Sequence, residues 1–189
     1  MGHAYLRIGA SARTQRLSRR ALVRAGALCA LLLSAPALAA GSQQVGSSTG
    51  LPLPRYVSLK ADRVNLRQGP SKDHPIEWVF ERAGLPVEVT EEFDTWRKIR
   101  DSEGTVGWVL ESLLSGRRTA LVKPWDKGAV LPIYANPDAH SRIVANLQSR
   151  VIGNVRSCNG AWCEIFGRGF EGWIQQTNLW GVYPNEKIN

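Results

Sequence analysis

Cys158 and Cys163 bracket Asn159-Gly160-Ala161-Trp162. Asn-Gly is a strong hairpin signal, so two thiols at this spacing meet near one tight turn. The chemistry expected of them in an oxidising compartment is a disulfide. A closed loop of about six residues makes it worth roughly 2 kcal/mol. Register decides the geometry: a two-residue turn makes the cysteines diagonal neighbours, and a four-residue loop makes them face each other. A redox pair or half a metal site would need further Cys or a nearby His. The chain has three Cys and three His in all. His74 and His140 fall in loop-like stretches at similar places in the two halves, where solvated loop histidines are the simplest reading. No Cys-His nucleophile pair is assembled. The expectation is therefore no catalytic residue, no metal site, no cofactor and no enzyme.

Other side chains suit binding. Arg67 stands at the end of an alternating stretch, where its guanidinium can donate a forked pair of hydrogen bonds to a carboxylate. Seven Trp are many for 189 residues. Most are expected as core and interface filler, with Trp96 and Trp108 as the groove candidates beside Arg67. The acidic run Glu88, Glu91, Glu92 and Asp94 reads as a solvated face. Arg117-Arg118 at the junction of the halves is a weak candidate for an acidic partner.

The elements that must position these residues read as β throughout. Tyr56-Val57-Ser58-Leu59 and Val64-Asn65-Leu66 alternate. Trp78-Val79-Phe80, Val87-Glu88-Val89, Trp96-Arg97-Lys98-Ile99 and Gly107-Trp108-Val109 are further short stretches. Gly69-Pro70, Gly84-Leu85-Pro86, Asp94 and Ser102-Glu103-Gly104 punctuate them. Short strands at such spacing, without a sustained helical period, predict small barrels or sandwiches. The pattern then repeats at an offset of about 65 residues. Trp96 and Gly107-Trp108 answer to Trp162 and Gly172-Trp173, and Leu114 and Gly116 to Leu179 and Gly181. Two copies make a duplication rather than a solenoid. A unit of about 60 residues buries only about 60% of its unfolded surface, and the connector Arg117–Val122 is not flexible in character. The halves are therefore expected to pack together.

The net charge of +8 is misleading until it is divided. Residues 1–39 hold six Arg and no acid, which leaves 18 Lys and Arg against 16 Asp and Glu. A nucleic-acid partner loses its electrostatic support. The basic start, the apolar run Ala25–Leu33, Pro36 and Ala37-Leu38-Ala39 read together as a secretory signal peptide. Arg19-Arg20 leaves the twin-arginine route open beside the general one. The apolar run is short for a membrane span, so no stable span is expected after cleavage. Cys29 would be discarded with the signal. Residues 40–53 are polar and rich in Gly and Ser, which predicts a flexible linker.

Val64-Asn65-Leu66-Arg67-Gln68-Gly69-Pro70-Ser71, Trp96-Arg97-Lys98-Ile99 and Gly104-Thr105-Val106-Gly107-Trp108-Val109 together resemble the bacterial SH3-like (SH3b) domain. Residues 119–181 look like a divergent copy that opens on Val130-Leu131-Pro132-Ile133-Tyr134-Ala135-Asn136-Pro137, without the Arg and the Gly-Pro-Ser of the first. The resemblance implies strongly bent barrels of five to six strands. It also implies binding of cell-wall or other extended peptides. In this reading Gly69 and Pro70 set a turn, with glycine tolerating positive φ. Gly107 and Gly172 let the backbone bend while Trp108 and Trp173 cover a barrel end. The fold expected is all-β: a signal peptide at 1–39, a linker at 40–53, SH3-like barrels at 54–116 and 117–183, and a tail at 184–189. The function expected is a non-catalytic exported binding module in the periplasm, recognising peptidoglycan peptides. The alternative is an adaptor holding another envelope protein.

Overall fold

The structure is a computed structural model, and it describes residues 44–189. The expected signal peptide, with Cys29 and the Arg19-Arg20 pair, and the first residues of the expected linker lie outside the described residues.

Two β-sheets account for the described chain. The first contains β1 (Arg55–Leu59), β2 (Val64–Arg67), β3 (Ile76–Phe80), β4 (Pro86–Phe93), β5 (Trp96–Arg100), β6 (Val106–Leu110) and β7 (Leu114–Ser115). The second contains β8 (Thr119–Val122), β9 (Val130–Tyr134), β10 (Ile143–Gln148), β11 (Ile152–Asn159), β12 (Trp162–Gly167), β13 (Phe170–Gln175) and β14 (Leu179–Trp180). A short β15 (Lys187–Ile188) adds to β11. The strand orders are β3-β2-β6-β5-β4-β1-β7 and β10-β9-β13-β12-β11-β8-β14. The second is the first with every number raised by seven. Each path has seven strands against the five or six expected, the last being only two residues long.

The duplication extends to irregularities. β4 shifts register between Val89 and Glu91, and β11 shifts at the corresponding Val155 and Ser157. Such bulges bend and twist a long strand. A 3-10 turn follows β6 at Glu111–Leu113, and another follows β13 at Gln176–Asn178.

Alternation builds each core. In β2, Val64 and Leu66 are buried while Asn65 and Arg67 turn outward. They join Leu59, Val87, Val89, Ile99 and Val109 in the first core. Ile133, Ile165, Ile174, Cys158 and Cys163 belong to the second. Burying one such aliphatic side chain contributes about 2 kcal/mol. The same alternation places Gly107 and Val109 inward and turns Trp108 outward. Trp108 therefore lies on the outer face of the sheet, not over a barrel end, and Trp173 follows the same pattern. The glycines are needed for close approach. A Cβ on Gly107 would sit 2.8 Å from the Arg67 carbonyl oxygen, and one on Gly172 would sit 2.8 Å from that of Tyr134.

The barrels dock through a mixed contact. Tyr56 meets Trp180 edge-on at 5.2 Å between ring centroids and Tyr183 at 4.6 Å. Tyr183 donates its hydroxyl to Glu88 Oε1 at 3.0 Å, and Trp180 Nε1 donates to the Pro86 carbonyl at 3.1 Å. The Thr119 hydroxyl donates to the Gly84 carbonyl at 2.8 Å.

Residues 44–53 depart from the expected tether. Val45 bridges Pro52, and Leu53 is buried in the first core. The loop closes on Glu92: the Ser48 and Thr49 amides donate to Oε2 at 3.0 and 2.9 Å, and the Thr49 hydroxyl donates to Oε1 at 2.7 Å. The acidic run is likewise not a solvated face throughout. Glu88 is 3% exposed and the Glu92 side chain has no exposed surface, whereas Glu91 and Asp94 do face solvent.

Candidate functional site

The outer face of the first sheet carries one row of residues opposed in register. Ile76 on β3 faces Arg67 on β2, Arg67 faces Trp108 on β6, Trp108 faces Lys98 on β5, and Lys98 faces Glu91 on β4. Two cations thus flank one half-buried indole. Lys98 Nζ lies 6.0 Å from the Trp108 ring centroid, at the outer limit of a cation–π contact. It also donates to Glu91 Oε1 at 2.8 Å. Arg67 Nη1 donates to the His74 carbonyl at 2.7 Å. No carboxylate among the described residues pairs with Arg67, so the rest of its fork is uncommitted.

The loop after β2 holds Arg67 in place. Gln68 N donates to the Pro75 carbonyl and Ser71 N to the Gly69 carbonyl. The His74 imidazole packs over Gly69, where an added Cβ would meet its Cδ2 at 2.4 Å. Gly69 does not adopt positive φ. It is glycine because a ring rests on it, and Pro70 continues the turn. His140 occupies the corresponding loop of the second barrel, with its amide on Asp138 Oδ1 at 3.0 Å.

Arg67 and Trp108 are therefore brought together, and Trp96 is not one of the row. Trp96 is 7% exposed and faces Phe93 and Leu110, so it offers no open stacking face. The tryptophans, expected mostly as core and interface filler, divide between those places and solvent. Trp78 is 54% exposed, Trp125 is exposed, and Trp180 packs between the barrels. Sequence reasoning missed Lys98. Its signal was present, because Lys98 sits two residues after Trp96 on a strand that must pair with β6.

The same row in the second barrel reads Ile143, Tyr134, Trp173, Glu164 and Ser157. Tyr134 replaces Arg67 and Glu164 replaces Lys98. Arg156 pairs with Glu164 at 3.0 Å and also with Glu171. Among the described residues, the first row presents a cation free for an anion and the second row does not.

Two further clusters sit beside these rows. Arg97 is 2% exposed; its Nη2 donates to Glu111 at 2.5 Å and its Nη1 to the Asp94 and Trp96 carbonyls. Arg55 donates to Glu92 at 2.7 Å. Burial alone would raise the Glu92 carboxyl, but the Thr49 hydroxyl, Arg55 and the two loop amides outweigh it and hold it down at about 2. At the docking contact, burial first and the Glu88 charge second push the Tyr56 and Tyr183 phenols upward.

In the second barrel Cys158 and Cys163 form a disulfide and face each other directly, with Cα atoms 4.1 Å apart. The loop between them has four residues, and Asn159 Oδ1 accepts the Ala161 and Trp162 amides. Among the described residues no group of three His, Cys, Asp or Glu could hold a metal ion, and no helix is long and apolar enough to cross a membrane.

The bacterial SH3 domain family matches the chain twice, over residues 60–116 and 127–181. The chain belongs to that family, and it carries two such domains in tandem. Bacterial SH3 domains are generally non-catalytic binding modules, often found in cell-wall-associated, extracellular or envelope proteins. No curated protein matches the chain. Among solved structures, NlpC2 from Trichomonas vaginalis aligns at a TM-score of 0.31 and 13% identity, over 67% of this chain and 48% of that one. NlpC1 from the same organism aligns at 0.31 and 14%, over 71% and 48%. The chain spans about half the length of these structures, and at that TM-score nothing about activity follows.

Proposed function

We propose that the protein is a non-catalytic binding module, exported to the periplasm, whose first barrel recognises the carboxylate-bearing peptides of peptidoglycan. One observation carries this reading: Arg67 and Lys98 flank Trp108 on an outer sheet face, and Arg67 has no carboxylate partner among the described residues. A stem peptide offers a carboxylate for the guanidinium fork and a flat amide backbone for the indole. The second barrel lacks the arginine at this row and is not assigned the same ligand.

The test is co-sedimentation of the protein with purified sacculi, comparing wild type with Arg67→Ala and Lys98→Gln. Sedimentation that weakens in both variants supports the site. Sedimentation untouched by either moves the ligand to another surface. No sedimentation at all overturns wall recognition. Crosslinking would then test the adaptor reading, in which the surface holds an envelope protein.

A further inference from the structure

The second barrel contains a cleft of about 640 Å³ that the charged row does not share. Three pieces wall it. The β11–β12 hairpin contributes Trp162, the end of β13 and the following 3-10 turn contribute Gln175 and Thr177, and the chain after β14 contributes Val182 and Asn185. The chain after β14 is held in place. Gln176, buried in the turn, donates Nε2 to the Glu186 carbonyl at 2.9 Å, and Arg118 pairs with Glu186 at 2.7 Å. β15 then pairs with Cys158 and Asn159, opposite the disulfide. The cleft is therefore a preformed feature, walled by a hairpin that the disulfide locks.

Its chemistry differs from the first barrel's. Its walls carry no ionisable side chain. The cleft at the matching positions of the first barrel, about 450 Å³ and lined by Thr95, Ser112 and Leu114, also includes the ionisable Lys60 and Glu111. Trp162 is half-buried and meets Tyr134 edge-on at 5.5 Å with the rings at 89°. That contact fixes the indole plane while the rest of the ring borders the cleft. Gln175 and Thr177 are exposed at the rim. Amides and hydroxyls of this kind both donate and accept hydrogen bonds.

We infer that this cleft binds a neutral, polyhydroxylated ligand, a short glycan segment whose apolar ring face rests on Trp162. A charged peptide would lose hydration in the cleft without gaining an opposite charge. A proline-rich peptide could stack on the indole, but its backbone lacks donors at proline, so it would use only half of the rim's capacity. Hydroxyls donate and accept, as the rim does. The volume lies within the range usual for small-ligand sites. The inference concerns a different barrel from the proposed peptide site and does not depend on it.

The experiment is a calorimetric titration of the full chain with a tetramer of N-acetylglucosamine, followed in parallel by tryptophan fluorescence. Wild type should bind saturably in the micromolar to millimolar range. Gln175→Ala combined with Thr177→Val should weaken binding by about tenfold or more, because both residues are exposed and outside the core. Arg67→Ala should leave it unchanged, which separates this site from the first barrel's. A circular dichroism melt checks that each variant remains folded. No saturable binding at millimolar sugar overturns the inference. So does binding that the rim variants leave intact, or saturable binding of a proline-rich peptide in place of the sugar.

Discussion

Glu92 and Arg97 face each other across β4 and β5 at the register position that Cys158 and Cys163 hold across β11 and β12. One domain closes the end of its long hairpin with a buried ion pair and the other with a disulfide. Each closure is also covered by chain from outside the core repeat. Residues 44–53 lie over Glu92, and β15 pairs beside Cys158.

Removing the charge at Glu92 should therefore cost far more than its place in an acidic run suggests. Glu92→Gln strips the counter-charge from Arg55 and weakens the hold on the Ser48–Thr49 loop. Breaking a buried pair from one side costs about 3 kcal/mol. Chemical denaturation should show that loss, and protease should then cut within residues 44–53. A variant as stable as wild type would contradict the buried-pair account.

The pH dependence follows from the same group. The Glu92 carboxyl is held down at about 2 from an ordinary value of 4.5. Above 4.5 it is ionised in both folded and unfolded chains, and its contribution is fully present. As pH falls from 4.5 towards 2 the unfolded chain takes up the proton first, so stability is lost across that window. Denaturation midpoints measured from pH 6 to pH 2 should fall, and the fall should be shallower in Glu92→Gln. Glu186 is also held low by Arg118 and the Tyr183 amide against the effect of its burial, so a share of the loss should remain.

Removing the disulfide by substitution provides the matched experiment in the second barrel. Cys158→Ala with Cys163→Ala should cost about 2 kcal/mol by the loop-entropy relation. Both sulfurs also belong to the core, so the loss should not fall below that value. Differential scanning calorimetry of the double variant measures it directly.

How much of this was legible depends on range. Trp96, Gly107-Trp108 and their counterparts Trp162, Gly172-Trp173 announced the duplication, because glycine and outward tryptophan recur where the β2 and β9 backbones press close. Asn159-Gly160 announced the hairpin and placed the cysteines near one turn. The ordering of residues 44–53 was not legible. Gly-Ser composition has no hydrophobic period, and its partner Glu92 lies more than forty residues on. Glu91 and Glu92 show the same limit at one step. On a strand, neighbours point to opposite faces, so one solvates and pairs with Lys98 while the other is buried. The cationic row was half legible: Arg67 stood out in its motif, but Lys98 joins it only through strand pairing.

Close approach at the glycines sets another expectation. Gly107→Ala would press a methyl against the Arg67 carbonyl at 2.8 Å and the Leu66 side chain at 2.6 Å. Overpacking of this kind costs about 1–3 kcal/mol. Because β2 must shift, the loss should extend to the Arg67 site. Amide chemical shifts of Arg67 and Trp108 should move together, while those of the second barrel stay in place.

Lys98 is already engaged before any ligand arrives. Its ammonium is shared between the Trp108 face and the Glu91 carboxylate. An anionic ligand at the row must compete with Glu91 for that charge. Glu91→Gln removes the competitor and one negative charge beside the site, while both side chains remain partly exposed. Exposed pairs of this kind are worth about 0.2–1 kcal/mol, which corresponds to an affinity gain of up to about fivefold. The gain should shrink as salt rises, because the interaction is screened. Titration of an acidic stem peptide at low and high ionic strength reads both effects. If Glu91→Gln weakened binding instead, Glu91 would itself be contacting the ligand, and the row would be recognising a zwitterion rather than a carboxylate alone.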